Sequence, residues 1–193
     1  QIGANDGSRF DILNKFIKRN KTNSILIEPI KKNFLELKKN YKKIRCVKLE
    51  NCAISVNNEI SFLFKVDEKF LKFYDNHIPG ITSFNKDHLI KHGVKKKHIS
   101  KEEVKSKSIK NIIKKNKLKR LDLLFIDTEG YDGKIVLDFL KIGLFYPIII
   151  FEYIHIDNKT FEKVVKKLKS KKYKFFPVNE NIVCLPNNKS IKV

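Results

Sequence analysis

At 193 residues and 41% hydrophobic side chains, the chain is long enough for one α/β domain with a sizeable core, and its regular apolar runs exclude a disordered polypeptide. No stretch approaches the roughly 20 consecutive apolar residues of a membrane helix. The net charge of +21 would attract polyanions, but the basic residues are mostly lysines spread along the whole chain, with only Arg9, Arg19, Arg45 and Arg120 as arginines. Such a charge reads as solvated helix faces. It argues against a nucleic-acid partner and stays compatible with polyanionic glycans.

Taken in chain order, Gln1 and Ile2 close a strand, and Phe10, Leu13, Phe16 and Ile17 repeat at helical spacing behind Ser8 as N-cap. The chain opens at Gln1 without a methionine, inside this strand, so an upstream segment is expected. Residues 24–28 form a β-rich run closed by Pro29, and Phe34, Leu37 and Tyr41 mark an amphipathic helix ending near residue 43. Residues 45–49 make a further strand. Residues 53–56 and 60–66 flank the polar Asn57-Asn58-Glu59, which predicts a hairpin. From residue 67 to about residue 100 the periodicity is lost around Pro79-Gly80 and Thr82-Ser83, apart from a short helix at residues 86–91, so this insertion is the expected substrate lid.

Beyond it, Ile109, Ile112 and Ile113 predict a helix, residues 121–126 an apolar strand, and residues 134–140 the next helix. Residues 147–153 are another buried strand. Phe161, Val164, Val165 and Leu168 mark a last helix, and residues 173–178 and 182–185 a terminal hairpin. The alternation predicts an α/β, Rossmann-like domain over residues 1–193, with a mostly parallel doubly wound sheet and a C-terminal antiparallel hairpin. Cys46, Cys52 and Cys184 are odd in number and lack metal or redox spacing, which predicts reduced thiols and a cytoplasmic protein.

The chemistry falls at strand C-termini, where open α/β sheets bind ligands. Gly3 and Gly7 bracket a tight turn that lets backbone N–H groups approach a ligand. Two such glycines also occur in ordinary βα turns. Glu28, closing the second strand, stands where a carboxylate accepts both hydroxyls of a ribose, although a strand-end acid can equally be solvated. Neither the glycine triplet of dinucleotide sites nor the lysine-bearing phosphate loop is present, so the adenosine cofactor most compatible with this turn is S-adenosylmethionine. Asn5 and Asp6 are candidates for hydrogen bonds to its methionyl part.

The second group is Asp127-Thr128-Glu129-Gly130-Tyr131-Asp132, directly after an apolar strand. Asp127 and Glu129 could face cofactor or acceptor; alternatively Asp127 or Thr128 caps the next helix. The third group is Glu152 and His155, where the histidine is a candidate general base. With Asp127 these residues could also hold a divalent metal, which is not predicted here.

In order along the chain, Gln1-Ile2-Gly3-Ala4-Asn5-Asp6-Gly7, Ile27-Glu28-Pro29, Asn51-Cys52-Ala53-Ile54-Ser55, Gly80-Ile81-Thr82-Ser83-Phe84, the run from Asp122 through Asp132, and Ile149-Ile150-Phe151-Glu152 resemble the FkbM-type methyltransferase family. The resemblance implies a class I methyltransferase fold and O-methylation of sugar or other hydroxyl groups. It places Gly3, Ala4, Asn5, Asp6, Gly7, Glu28, Asn51, Cys52, Ala53 and Asp127 on the cofactor side and Asp127, Glu129, Glu152 and His155 on the catalytic side. Thr82, Ser83 and His88 fall on the lid, facing substrate. Gln1 stands where many members carry Asp, and Tyr153 where a histidine is expected. The expected reaction is in-line attack of an acceptor hydroxyl on the sulfonium methyl, with His155 or Asp127 taking the proton. Competing readings are an RNA methyltransferase using the lysine surface, a cofactor-binding module without catalysis, and an oxidoreductase. The acceptor's identity and the oligomeric state are not written in the sequence.

Overall fold

The structure, a computed structural model, describes residues 1–9, 11–56, 60–75 and 78–187. The chain divides into two compact units, residues 1–107 and 108–193.

In the first unit, helix α1 (Asn14–Asn20) precedes strand β1 (Ser24–Ile27), helix α2 (Lys31–Asn40) and strand β2 (Val47–Glu50). β1 and β2 are parallel, with Ser24 opposite Val47 and Ile27 opposite Glu50, and Ile2 joins the other side of β1 through a parallel bridge to Ile27. The apolar spacing read from the sequence places Leu13 and Ile17 of the first helical region, with Phe34, Leu37 and Tyr41 of the second, around Ala4 and Leu26. Burying a side chain such as Leu26 or Leu37 contributes about 1.5–3 kcal/mol, which fixes both helices on the strands. Two expectations fail at the first helix. It starts at Asn14 instead of just after Ser8, and its N-cap is Leu13, without a side-chain cap bond. Phe10 lies outside the described residues.

The rest of this unit is a sheet of β3 (Ala53–Ile54), β4 (Ile60–Val66), β5 (Thr82–Ser83) and β6 (Ile99–Lys107), in the order β3-β6-β4-β5. The expected hairpin between residues 53–56 and 60–66 is therefore corrected: β6 lies between them, parallel to β3 and antiparallel to β4. Asn57, Asn58 and Glu59, the expected turn, lie outside the described residues. Between β4 and β6 the insertion is compact. It contains 3₁₀ turns and α3 (Lys86–Lys91), and Ile78, Ile81, Leu89 and Val94 form a local core with Val66.

The second unit contains α4 (Ile109–Lys115), β7 (Leu123–Ile126), α5 (Asp132–Ile142), β8 (Ile148–Glu152), α6 (Asn158–Ser170), β9 (Tyr173–Val178) and β10 (Asn181–Pro186). Its sheet runs β7-β8-β10-β9: β7 and β8 are parallel, and the terminal hairpin is antiparallel as expected. Ser108 accepts from the Asn111 N–H and Asp157 from the Thr160 N–H, capping α4 and α6, while Gly143 ends α5 at φ +68°. The expectation of a mostly parallel sheet is not met. Among the described residues three strand pairs are parallel and four antiparallel: β4 pairs antiparallel with both β5 and β6, and β10 with both β8 and β9. The architecture is mixed α/β. No described helix is long and apolar enough to cross a membrane, and the three cysteines are thiols.

Candidate functional site

In the first unit, the segment after Ile2 turns back at residues 3–7. Gly3 and Ala4 donate their N–H groups to the Ile27 carbonyl at 3.0 Å, and Gly7 donates to Ala4 at 2.9 Å. Gly3 (φ +82°), Asn5 (φ +49°) and Gly7 (φ +65°) all occupy the left-handed region. For Gly7 the requirement is also steric: an added Cβ would lie 2.7 Å from Tyr41 Cε2 and against Leu37 Cδ1.

The turn is fastened to the end of β1. Asn5 N–H donates to Glu28 Oε2 at 2.9 Å and Ile30 N–H to Glu28 Oε1 at 2.8 Å. Glu28 is only 4% exposed. Burial pushes its carboxyl up to about 7 against the lowering effect of these amides and of the Asn33 side chain. The carboxylate therefore closes the turn, and the solvated alternative is ruled out.

Asp6 has a different task. Its Oδ1 accepts from the Ser8 and Arg9 N–H groups at 2.9 and 2.8 Å, and its Oδ2 lies 2.7 Å from Arg9 Nε. Ser8, the expected helix cap, instead donates its own N–H to Asp6. Asn51 Nδ2 donates to the Glu28 and Pro29 carbonyls at 2.9 and 3.0 Å, which ties the end of β2 to the end of β1, and Cys52 and Ala53 are buried. Gly3, Ala4, Asn5, Asp6, Gly7, Glu28 and Asn51 thus form one connected turn system.

Thr82 and Ser83 form β5 on the edge of the second sheet of this unit, and buried Ser83 accepts from the Asn85 N–H through its Oγ at 3.2 Å. Asn85 caps α3. His88 is buried on this helix, and its ring centroid lies 4.6 Å from that of His92, one turn further on. His92 was not singled out in the sequence; its i, i+4 spacing from His88 was the available signal.

In the second unit, the turn after β7 is strained at Glu129, a non-glycine residue at φ +53°, followed by Gly130 at φ +98°. A Cβ on Gly130 would lie 3.3 Å from the His155 carbonyl oxygen, so this turn packs directly against the turn after β8. The capping alternative for Asp127 or Thr128 is reversed. The α5 N-cap is Tyr131, without a side-chain bond, and Asp132 reaches back to accept from Thr128 Oγ1 at 2.8 Å and from its N–H. Burial pushes the Asp132 carboxyl up to about 6.

At the end of β8, Glu152 Oε1 lies 3.7 Å from His155 Nε2, a polar contact longer than a hydrogen bond. Glu152 Oε2 is buried with no hydrogen-bond partner among the described residues. Burial, followed by the charges of Glu129, Asp127, Asp132 and Glu180, pushes the Glu152 carboxyl up to about 9. At neutral pH Glu152 therefore holds its proton, and its contact with His155 is not an ion pair. The structure thus brings Asp127, Glu129, Glu152 and His155 into one electrostatically coupled group. Asp132 and Glu180 belong to the same field and were not assigned a role from the sequence; the acid-rich Asp127 to Asp132 run was the signal for Asp132, and Glu180 had none.

The model of the methyltransferase FkbM domain matches residues 1–175 of the chain. No curated protein and no solved structure matches it.

Proposed function

The chain belongs to the FkbM methyltransferase family, and from that premise we propose that it is an S-adenosylmethionine-dependent O-methyltransferase whose acceptor is a hydroxyl group of a sugar or glycan. The family match runs through both units, which supports reading them as one methyltransferase domain of class I type. The observation that carries the cofactor assignment is the buried Glu28 carboxylate closing a turn of left-handed residues. A carboxylate offers about four acceptor directions. The Asn5 and Ile30 N–H groups take one on each oxygen, which leaves acceptor capacity for a ribose hydroxyl, and a sulfonium nucleoside needs no phosphate cradle. These residues fit the cofactor: Gly3, Ala4, Asn5 and Gly7 supply backbone, Glu28 the ribose acceptor, and Asn51 fixes the ends of the strands.

When bound, S-adenosylmethionine supplies a sulfonium methyl group for transfer to an acceptor oxygen. The chain's own part is orientation, exclusion of water and movement of one proton. Because Glu152 holds a proton at neutral pH, it is not the base there. His155, through an imidazole nitrogen, or Asp127, through a carboxylate oxygen, takes the acceptor proton. Glu129 and Glu152 set the field around them. Thr82, Ser83 and His88 serve acceptor recognition.

S-adenosylhomocysteine at 100 times its Kd should stabilise the protein by about 2.7 kcal/mol, and NAD should not stabilise it. A methyl-transfer screen with labelled cofactor across glycans, lipids and RNA then identifies the acceptor. The reading fails if S-adenosylhomocysteine gives no stabilisation, or if Asp127→Ala and His155→Ala both turn over like the wild type.

A further inference from the structure

The outer face of α2 forms one wall of a groove of about 790 Å³ in the first unit. Lys31, Leu35, Lys38 and Lys42 recur at i, i+4, i+7 and i+11, one stripe of the helix continued into the following turn, and all four are exposed. Lys32 and Lys39 border this stripe, and Lys65 on β4 faces it from across the groove. Three of the six lysines have carboxylate partners: Lys32 with Glu68 at 3.2 Å, Lys39 with Glu36 at 2.6 Å and Lys65 with Glu102 at 2.5 Å. Lys31, Lys38 and Lys42 make no ion pair among the described residues, so the groove carries surplus positive charge.

The groove also adjoins the turn system. The Lys31 N–H donates to Glu102 Oε1 at 3.0 Å, three positions after Glu28, and the Glu102 charge acts on Glu28 itself.

We propose that this groove binds an acidic glycan, a chain carrying carboxylate or sulfate groups, and that the methyl acceptor belongs to this class. The inference rests on the methyltransferase reading above. The volume is that of a ligand cleft, enough for a short oligosaccharide. Single-stranded RNA needs aromatic platforms for its bases and favours arginine forks, and the groove is lined by neither. Lysines act as point charges, suited to oxyanions spaced along a flexible chain, and exposed Leu35 and the lysine stems offer an apolar floor to sugar rings.

The experiment compares wild type, Lys31→Gln/Lys38→Gln/Lys42→Gln and a control, Lys159→Gln/Lys163→Gln/Lys166→Gln, on exposed positions of α6. Binding of polygalacturonate and heparin oligosaccharides is measured over a range of salt, with neutral dextran, poly(A) RNA and phosphatidylserine vesicles as the other probes. The groove variant should bind at least one acidic glycan on the order of tenfold more weakly, and its slope of log K against log salt should be shallower by about two. The control should match wild type. S-adenosylhomocysteine should stabilise all three proteins equally, which separates loss of the groove from failure of the methyltransferase reading. The proposal is overturned if the groove variant binds both acidic glycans like wild type, if dextran binds as well as they do, or if RNA or vesicles bind more tightly at equal salt.

Discussion

Replacing Glu152 by Gln should stabilise the protein, and by an amount that grows with pH. The unfolded carboxyl titrates near 4.5 and the folded one near 9. Between these values the folded chain binds a proton that the unfolded chain has released, so stability falls as pH rises, by about 1.4 kcal/mol per unit for this one group. Below the unfolded value the penalty is absent, and it is complete only above the folded value. At pH 7 it amounts to about 3.4 kcal/mol at most, and residual solvent access to a side chain 15% exposed lowers it to about 2 kcal/mol. Glutamine keeps the shape and removes the ionisation. Urea denaturation of both proteins, between about pH 5 and pH 8, should show curves that nearly coincide at the acidic end and separate steadily above it. At pH 7 the variant should melt roughly 4–8 °C higher. A gap that does not change with pH would refute the argument, because the cost would then come from packing and not from the proton that Glu152 must take up on folding beside Asp127, Glu129 and Asp132.

Gly7→Ala combines a strained backbone with a Cβ pressed against Leu37 and Tyr41, and should cost about 2–4 kcal/mol in chemical denaturation. It should also abolish stabilisation by S-adenosylhomocysteine at concentrations that saturate the wild type. Affinity for that ligand, followed by calorimetry, should rise as pH increases through about 7, because only the ionised Glu28 can accept on both oxygens. Glu28→Gln should bind weakly with a flat profile; a flat profile in the wild type would remove Glu28 from the ribose.

The parts of the fold that the sequence makes legible are those governed by local rules. Leu37 on α2 and Tyr41 at its C-cap, Ile112 and Ile113 on α4, and Val164 and Leu168 on α6 follow helical spacing and are buried as that spacing requires. β7, β8 and the terminal hairpin are apolar or alternating runs ended by turn residues. β6 is neither. Its sequence Ile-Ser-Lys-Glu-Glu-Val-Lys-Ser-Lys buries only Val104 and Ser106, and it is a strand because seven residues of β4 pair with it. Distant pairing of this kind leaves little trace in local periodicity, and the same cause turned the expected hairpin at residues 53–66 into two strands separated by β6.

A similar division runs through the candidate site. The turn at residues 3–7 and Glu28 could be placed because each has a local geometric reason: glycine where φ is positive, and an acid where a strand ends beside that turn. The tasks of Asp6, Asp127 and Asp132 could not be divided in this way, since a short acidic residue near a helix start satisfies a cap and an active site equally well. Distances show what two of them hold: Asp6 accepts from the Ser8 and Arg9 N–H groups, and Asp132 from Thr128. Neither Asp127 nor Thr128 supplies the side-chain cap of α5. The protonation of Glu152 lies further still from the sequence, because it is a sum over burial and four other carboxylates, one of them Glu180 in the turn between β9 and β10. A carboxylate cluster that retains a proton at neutral pH gives the base to a neighbour. In the proposed mechanism that leaves the proton to His155 or Asp127, the two groups to which the sequence reading also assigned it.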